Sequence, residues 1–238
     1  TQWFSVPRWH APNWSALDVE GVEVLDVQRH NRKLRRGAHK ANAFRIVLRG
    51  ENIERHADAL DLRLTLIREQ GVPNYFGEQR FGRDGSNVEL AEAWVSGKRL
   101  PRHKRSLAIS TIRSLLFNEQ LDARVRAGTW NALLPGDKAN LDGTGSVFDV
   151  SEVDDELLAR LDAMDIHPAG ILAGENSGLG SDAWQAALDK ARVEEGWRSL
   201  RLVVQGLDWS AEPGAVTVSF SLGRGAFATS VLREICDT

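Results

Sequence analysis

Asn42 and Phe44, in the stretch "KANAFRI", carry two groups that a nucleobase site needs. An asparagine amide offers one donor and one acceptor, enough to read a uracil edge. A phenyl ring offers a stacking face. By position alone Phe44 opens a strand and reads first as a core residue. Phe227, in "GAFATS", reads the same way, although its small neighbours leave room for a ligand to approach. The surrounding charge is more telling. No acid occurs from Gln28 to Gly50, while Arg29, Arg32, Lys33, Arg35, Arg36, Lys40, Arg45 and Arg49 all fall there. A second basic cluster, "KRLPRHKR", runs from Lys98 to Arg105 and includes Lys104. The acids gather between Asp149 and Asp165, so the net charge of −3 hides a strong segregation. A charge run by itself is usually a solvated face. Two basic clusters with aromatics beside the first predict a face for a phosphate backbone.

Other chemistries find no support. The histidines His10, His30, His39, His56, His103 and His167 show no metal-ligand spacing, and three lie in basic runs, so no metal is expected. There is no G-x-S-x-G elbow, and the single cysteine, Cys236, rules out an intrachain disulfide and suits a reduced, cytoplasmic setting. The apolar runs are too short to span a bilayer, and "TQWFSVPRWH" is no signal peptide. The chain opens without methionine, as if cut from something longer. The glycine-rich "HPAGILAGENSGLGSDAW" lacks the lysine of a phosphate-binding loop and reads as an irregular loop.

The elements that would position these residues follow from periodicity. Val22–Gln28 and Phe44–Arg49 read as strands joined by a long hairpin connection through the basic segment. Residues 51–70 read as a helix with Ala57, Leu60, Leu64 and Ile67 on one stripe, ended by Gly71. "GVPNYFGEQRFG", residues 71–82, has neither helical nor strand period. Its glycines, Gly71, Gly77 and Gly82, suit tight packing, and Arg80 suits a structural ion pair. Ser86 and Glu89 form a capping-box pattern, and a long helix starts at Leu107 and closes at Gly128. Turn signals at Pro135 and Asp142 precede a helix over Ser151–Met164, and Ser181 caps another reaching Glu195. "LRLVVQ" and "AVTVSFSL" return to strand, and "GRGAFATSVLREI" leads into a short helix. Strands at both ends with helices between predict an α+β chain. Residues 1–67 and 201–238 make the sheet domain, and 68–200 a mostly helical insertion.

Several segments together resemble one family. "GVPNYFGEQRFG", "RHNRKLRRGAHKANAF", "KRSLAISTIRSLLFNEQLDARV" and "GAFATSVLRE" are similar, in order and across essentially the whole chain, to motifs of the TruD family of tRNA pseudouridine synthases. The resemblance implies a mixed, antiparallel pseudouridine synthase sheet domain interrupted by a helical insertion domain. It implies cofactor-free conversion of a uridine in tRNA, at position 13 in bacterial members, to pseudouridine. It assigns Asn42, Phe44 and Phe227 to the substrate. Arg32, Lys33, Arg35, Arg36, Lys40, Lys104 and Arg105 are then expected on the RNA backbone of a monomeric enzyme. Ala41 stands where the family usually has glycine. The family's catalytic aspartate belongs to a segment expected upstream of Thr1, and no aspartate here matches its motif. The chain by itself is therefore expected to bind tRNA without turning it over. A non-catalytic tRNA-binding protein on the same scaffold is the alternative, and a helical module contacting acidic proteins a weaker one.

Overall fold

The computed structural model describes residues 1–35, 39–50 and 52–236. The chain divides into two units, Thr1–Lys40 and Ala41–Thr238. The first has two short 3-10 turns, Arg8–His10 and Trp14–Ala16, and an isolated bridge between Val19 and Val22. Val22–Gln28 is not a strand, contrary to the alternation of its residues. A strand exists only by pairing, and among the described residues no ladder forms beside it. Val22, Val24, Leu25 and Val27 are exposed. The hairpin expected through the basic segment is therefore absent among the described residues.

In the second unit, β1 (Ala41–Arg49) pairs antiparallel with a strand from the far end of the chain. Helix α1 (Ala57–Gln70) follows, with Leu64 and Ile67 buried. Gly71 closes α1 at φ 74°, and a Cβ there would lie 2.5 Å from the Leu202 carbonyl oxygen. Only glycine meets both demands. A two-residue strand, β2 (Val72–Pro73), comes next, then α2 (Ser86–Val95) and α3 (Arg102–Arg126). The capping box does not form. Gly85, in the left-handed conformation, takes the cap position, and Ser86 is already helical. Helix α3 begins earlier than its apolar period suggests, directly after Pro101, so "RHKR" becomes its first turn.

The middle of the chain adds a sheet to its helices. It comprises β3 (Lys138–Leu141), β4 (Val147–Asp149), β5 (Ile166–Leu172) and, beyond α4 (Asp155–Asp162) and α5 (Asp182–Lys190), β6 (Gly196–Ser199). The order is β4-β3-β5-β6, all neighbours antiparallel. The expected loop "HPAGIL" is thus largely the central strand β5. Its glycine serves packing rather than turning. A Cβ on Gly170 would come within 2.8 Å of Leu200 Cδ2 and 3.0 Å of Phe117 Cε2, so α3 sits close only over a bare backbone. Ser181 caps α5 as expected, accepting from Trp184 N, but the helix stops at Lys190 and Gly196 starts a strand. Helix α4 is also shorter than expected and is capped by Asp154.

The chain then returns through β7 (Arg201–Leu202), β8 (Gln205–Glu212) and β9 (Ala215–Gly223) to α6 (Ala228–Leu232). The sheet order β1-β9-β8 joins the two ends of the unit. Val216, Val218, Phe220 and Leu222 of β9 point to the core with Leu64 and Ile67, as strict alternation predicts. Facing partners in an antiparallel ladder share a side, so Phe44, Ile46 and Leu48 line the same core.

Candidate nucleic-acid interface

The register of β1 against β9 puts Asn42 opposite Leu222 and Phe44 opposite Phe220. Asn42 is exposed at the end of the sheet where β9 leaves for Phe227. Phe44 is half-buried and stacked on Phe220, ring centroids 5.3 Å apart with 29° between planes. It is both a core residue and a partly open ring. Phe227 is half-buried and packs elsewhere, 6.2 Å from Phe76 in an edge arrangement.

Phe76 belongs to the 71–82 stretch, and the structure shows how that stretch is held. Asn74 N donates to Leu200 O at 2.8 Å, and its side-chain Nδ2 donates to Ser199 O at 2.7 Å. Ser230 Oγ donates to Tyr75 O at 2.8 Å. The segment is tied to several different elements, so it needs no secondary structure of its own.

Two arginines meet on the Phe76 ring. Arg198, at the end of β6, lies with Cζ 4.1 Å from the ring centroid and 5.5 Å from that of Phe117. It donates to Asn74 Oδ1 at 2.6 Å and to Gly225 O at 3.2 Å. Burial, and after it the nearby positive charge of Arg80, lowers its pKa to about 10. Arg80 lies 5.3 Å from the Phe76 centroid and 6.0 Å from that of Phe227, and its Nη1 donates to Ser110 Oγ at 3.0 Å. It is not an ion-pair partner: among the described residues no carboxylate pairs with Arg80 or Arg198. Arg80 Nε and Thr229 Oγ1 are buried without a hydrogen-bond partner among the described residues. Sequence reading missed Arg198 altogether. "GWRSL" carries no motif, and only the fold brings it to Asn74.

Of the basic residues, Arg32, Lys33, Arg35 and Lys40 are exposed in the first unit, and Lys104 and Arg105 are exposed in the first turn of α3. Arg36 lies outside the described residues. Arg102, Lys104 and Arg105 stand at the positive end of the helix dipole with no acid in the first turn. Each such placement costs about 0.3–1 kcal/mol at low ionic strength. Among the described residues no group of acids, histidines or cysteines forms a metal cluster, and no helix is long and apolar enough to cross a membrane.

The fold and the sequence are shared with known proteins at two levels. The architecture matches the crystal structure of the putative tRNA pseudouridine synthase D (TruD) from Methanosarcina mazei. The TM-score is 0.64 over 93% of this chain and 74% of that one, at 17% identity, a likeness of fold alone. The sequence goes further. The family model for tRNA pseudouridine synthase D (TruD) matches residues 1–98 and 89–235. The chain is 40% identical to the tRNA pseudouridine synthase D of Methylococcus capsulatus, covering 100% of this chain and 72% of that protein. It is 41% identical to that of Aeromonas hydrophila, covering 98% and 70%. The chain belongs to the TruD family.

Proposed function

We propose that this chain is the greater part of a tRNA pseudouridine synthase. The reading rests on one observation above all: near-complete coverage at about 40% identity by relatives named for that activity. The reaction is an isomerisation. The bond from the ribose C1′ to uracil N1 breaks, C1′ rejoins through C5, the C5 hydrogen leaves as a proton, and N1 takes a proton up. Atoms and electrons balance within the substrate, so no redox cofactor is required. The initiating carboxylate is an aspartate from a segment preceding Thr1 in the natural polypeptide. Residues 1–67 and 201–238 form the catalytic domain, and 68–200 the insertion.

Asn42 hydrogen-bonds an edge of the flipped uracil, and Phe44 and Phe227 offer it their rings. Arg32, Lys33, Arg35, Arg36, Lys40, Lys104 and Arg105 neutralise phosphates. The cationic first turn of α3 supports that role, because a placement costly to the free helix becomes favourable against an anion. The bacterial family's tRNA position 13 is the expected target.

The test is incubation of the full-length protein with unmodified tRNA transcripts, followed by mapping of pseudouridine by carbodiimide adduct and primer extension. Conversion at one uridine is expected, abolished when the upstream aspartate is changed to asparagine. In parallel, Arg35→Ala and Arg36→Ala should weaken tRNA binding and flatten its salt dependence by about one unit of log–log slope for each phosphate left without its cation. Salt-sensitive binding with every uridine left intact would instead establish a tRNA-binding protein without catalysis.

A further inference from the structure

We propose that Arg80 binds a backbone phosphate adjoining the captured nucleotide, with Arg198 fixing the ring and amide that hold it in place. This deepens the reading of the chain as an RNA-modifying enzyme and rests on it.

Arg80 and Arg198 put two positive charges on one phenyl ring, that of Phe76, at 5.3 and 4.1 Å. Cation–π attraction and carbonyl acceptors offset part of their mutual repulsion, but no carboxylate among the described residues completes the pair. Arg198 commits its donors to Asn74 and Gly225. Arg80 does not. It uses Nη1 on Ser110, while its buried Nε finds no acceptor among the described residues. Nη2 makes no hydrogen bond among the described residues and, unlike the buried Nε, is the guanidinium donor open to a phosphate oxygen. Thr229, whose buried hydroxyl also has no partner among the described residues, flanks the same turn: a Cβ on Gly77 would lie 2.5 Å from its Oγ1. Gly77 itself starts the turn that carries Arg80, whose N donates to Gly77 O at 2.9 Å.

The position identifies the anion. The Arg80 guanidinium lies 6.0 Å from the ring of Phe227, the residue assigned to the base. A cation with an unused donor beside a base-stacking ring fits a nucleotide, with the base on the ring and the phosphodiester on Nη2. A protein carboxylate is the rival occupant.

The test is a cycle in two dimensions using the full-length protein. Affinity is measured for a synthetic hairpin RNA containing the target uridine, and for the same RNA with each flanking phosphate singly replaced by a neutral methylphosphonate. The variants are Arg80→Gln and Arg80→Lys. For unmodified RNA, Arg80→Gln should weaken binding about ten-fold or more, the worth of a charged hydrogen bond. One of the two methylphosphonates should weaken the wild type by a similar factor and the Gln variant no further. Arg80→Lys should recover only part of the loss. Because each variant is compared with itself on two RNAs, a general loss of folded protein cancels. If Arg80→Gln weakens every RNA by the same factor, Arg80 serves the fold or a protein carboxylate and the proposal is wrong. If the wild type binds no RNA at all, the functional reading falls first and takes this one with it.

Discussion

Asn118 of α3 clasps Phe76 by both of its backbone groups. Its Oδ1 accepts from Phe76 N at 2.9 Å and its Nδ2 donates to Phe76 O at 3.0 Å. The side chain acts as one rung of a sheet, substituting for a strand that the irregular segment lacks. This is how a stretch without period becomes rigid enough to hold Arg80 and Phe76.

Replacing Asn118 should therefore cost more than an ordinary polar change on a helix. Asn118→Ala strands a part-buried N–H and C=O together, and each unmet group costs about 1–3 kcal/mol. A loss of about 2–4 kcal/mol in denaturant unfolding is expected, with Asn118→Asp retaining the hydrogen bond from Phe76 N only. A loss under about 0.5 kcal/mol, the size of an ordinary surface change, would mean that the segment is held without it.

Gly71 sets the join between α1 and the same segment. Gly71→Ala meets a backbone oxygen at 2.5 Å while adopting φ 74°. Strain at such an angle costs on the order of 1 kcal/mol, and the clash adds to it because the Leu202 carbonyl belongs to a paired strand. A fall in Tm of at least several degrees is expected by calorimetry. Gly97→Ala, which meets nothing within 4 Å, should suffer only the strain of its positive φ.

His167 makes stability depend on pH. Arg201 Nε can only donate, and it lies 2.9 Å from His167 Nδ1, so the ring proton sits on Nε2, which donates to Asp142 Oδ1 at 3.0 Å. Burial pulls the histidine pKa below its ordinary 6.5, the Arg201 charge pulls the same way, and Asp142 and Asp165 oppose. A depressed folded pKa means that the unfolded state binds the proton more readily. The stabilisation is present above pH 6.5 and is lost as pH falls through the folded value. Urea unfolding on either side of that window, at about pH 7.5 and about pH 5, should show the decline in the wild type and a flatter profile in His167→Asn. Equal slopes would assign the acid sensitivity to other groups.

Phe44 separates packing from recognition. Stacked on Phe220 but only half-buried, it should cost about 2 kcal/mol when cut to alanine, less than a fully buried ring. Phe44→Leu keeps most of the packing and removes the stacking face. In the full-length enzyme it should leave tRNA affinity within about two-fold and lower conversion by about ten-fold or more, of the order of a base-stacking interaction. Unchanged conversion would make Phe44 a core residue only.

The sequence by itself determined whatever depends on neighbours along the chain. The alternation of β9 placed Val216 to Leu222 inward, Ser181 capped α5, Gly71 stopped α1, and motif order identified the family. Tertiary structure decided whatever needs a distant partner. Val22–Gln28 and Ala41–Arg49 both carry β-branched residues, yet only the second meets a ladder, from β9 at the other end of the unit. Ile166–Leu172 contains proline and glycine, and becomes a central strand because β3 and β6 flank it and α3 needs the bare backbone of Gly170. Arg198 and Arg80 lie far apart in sequence and converge on Phe76 only when β6 and the 71–82 segment are folded against one another. Hydrogen-bond ladders and charge clusters are pairwise, so a local pattern can offer one partner but cannot supply the other.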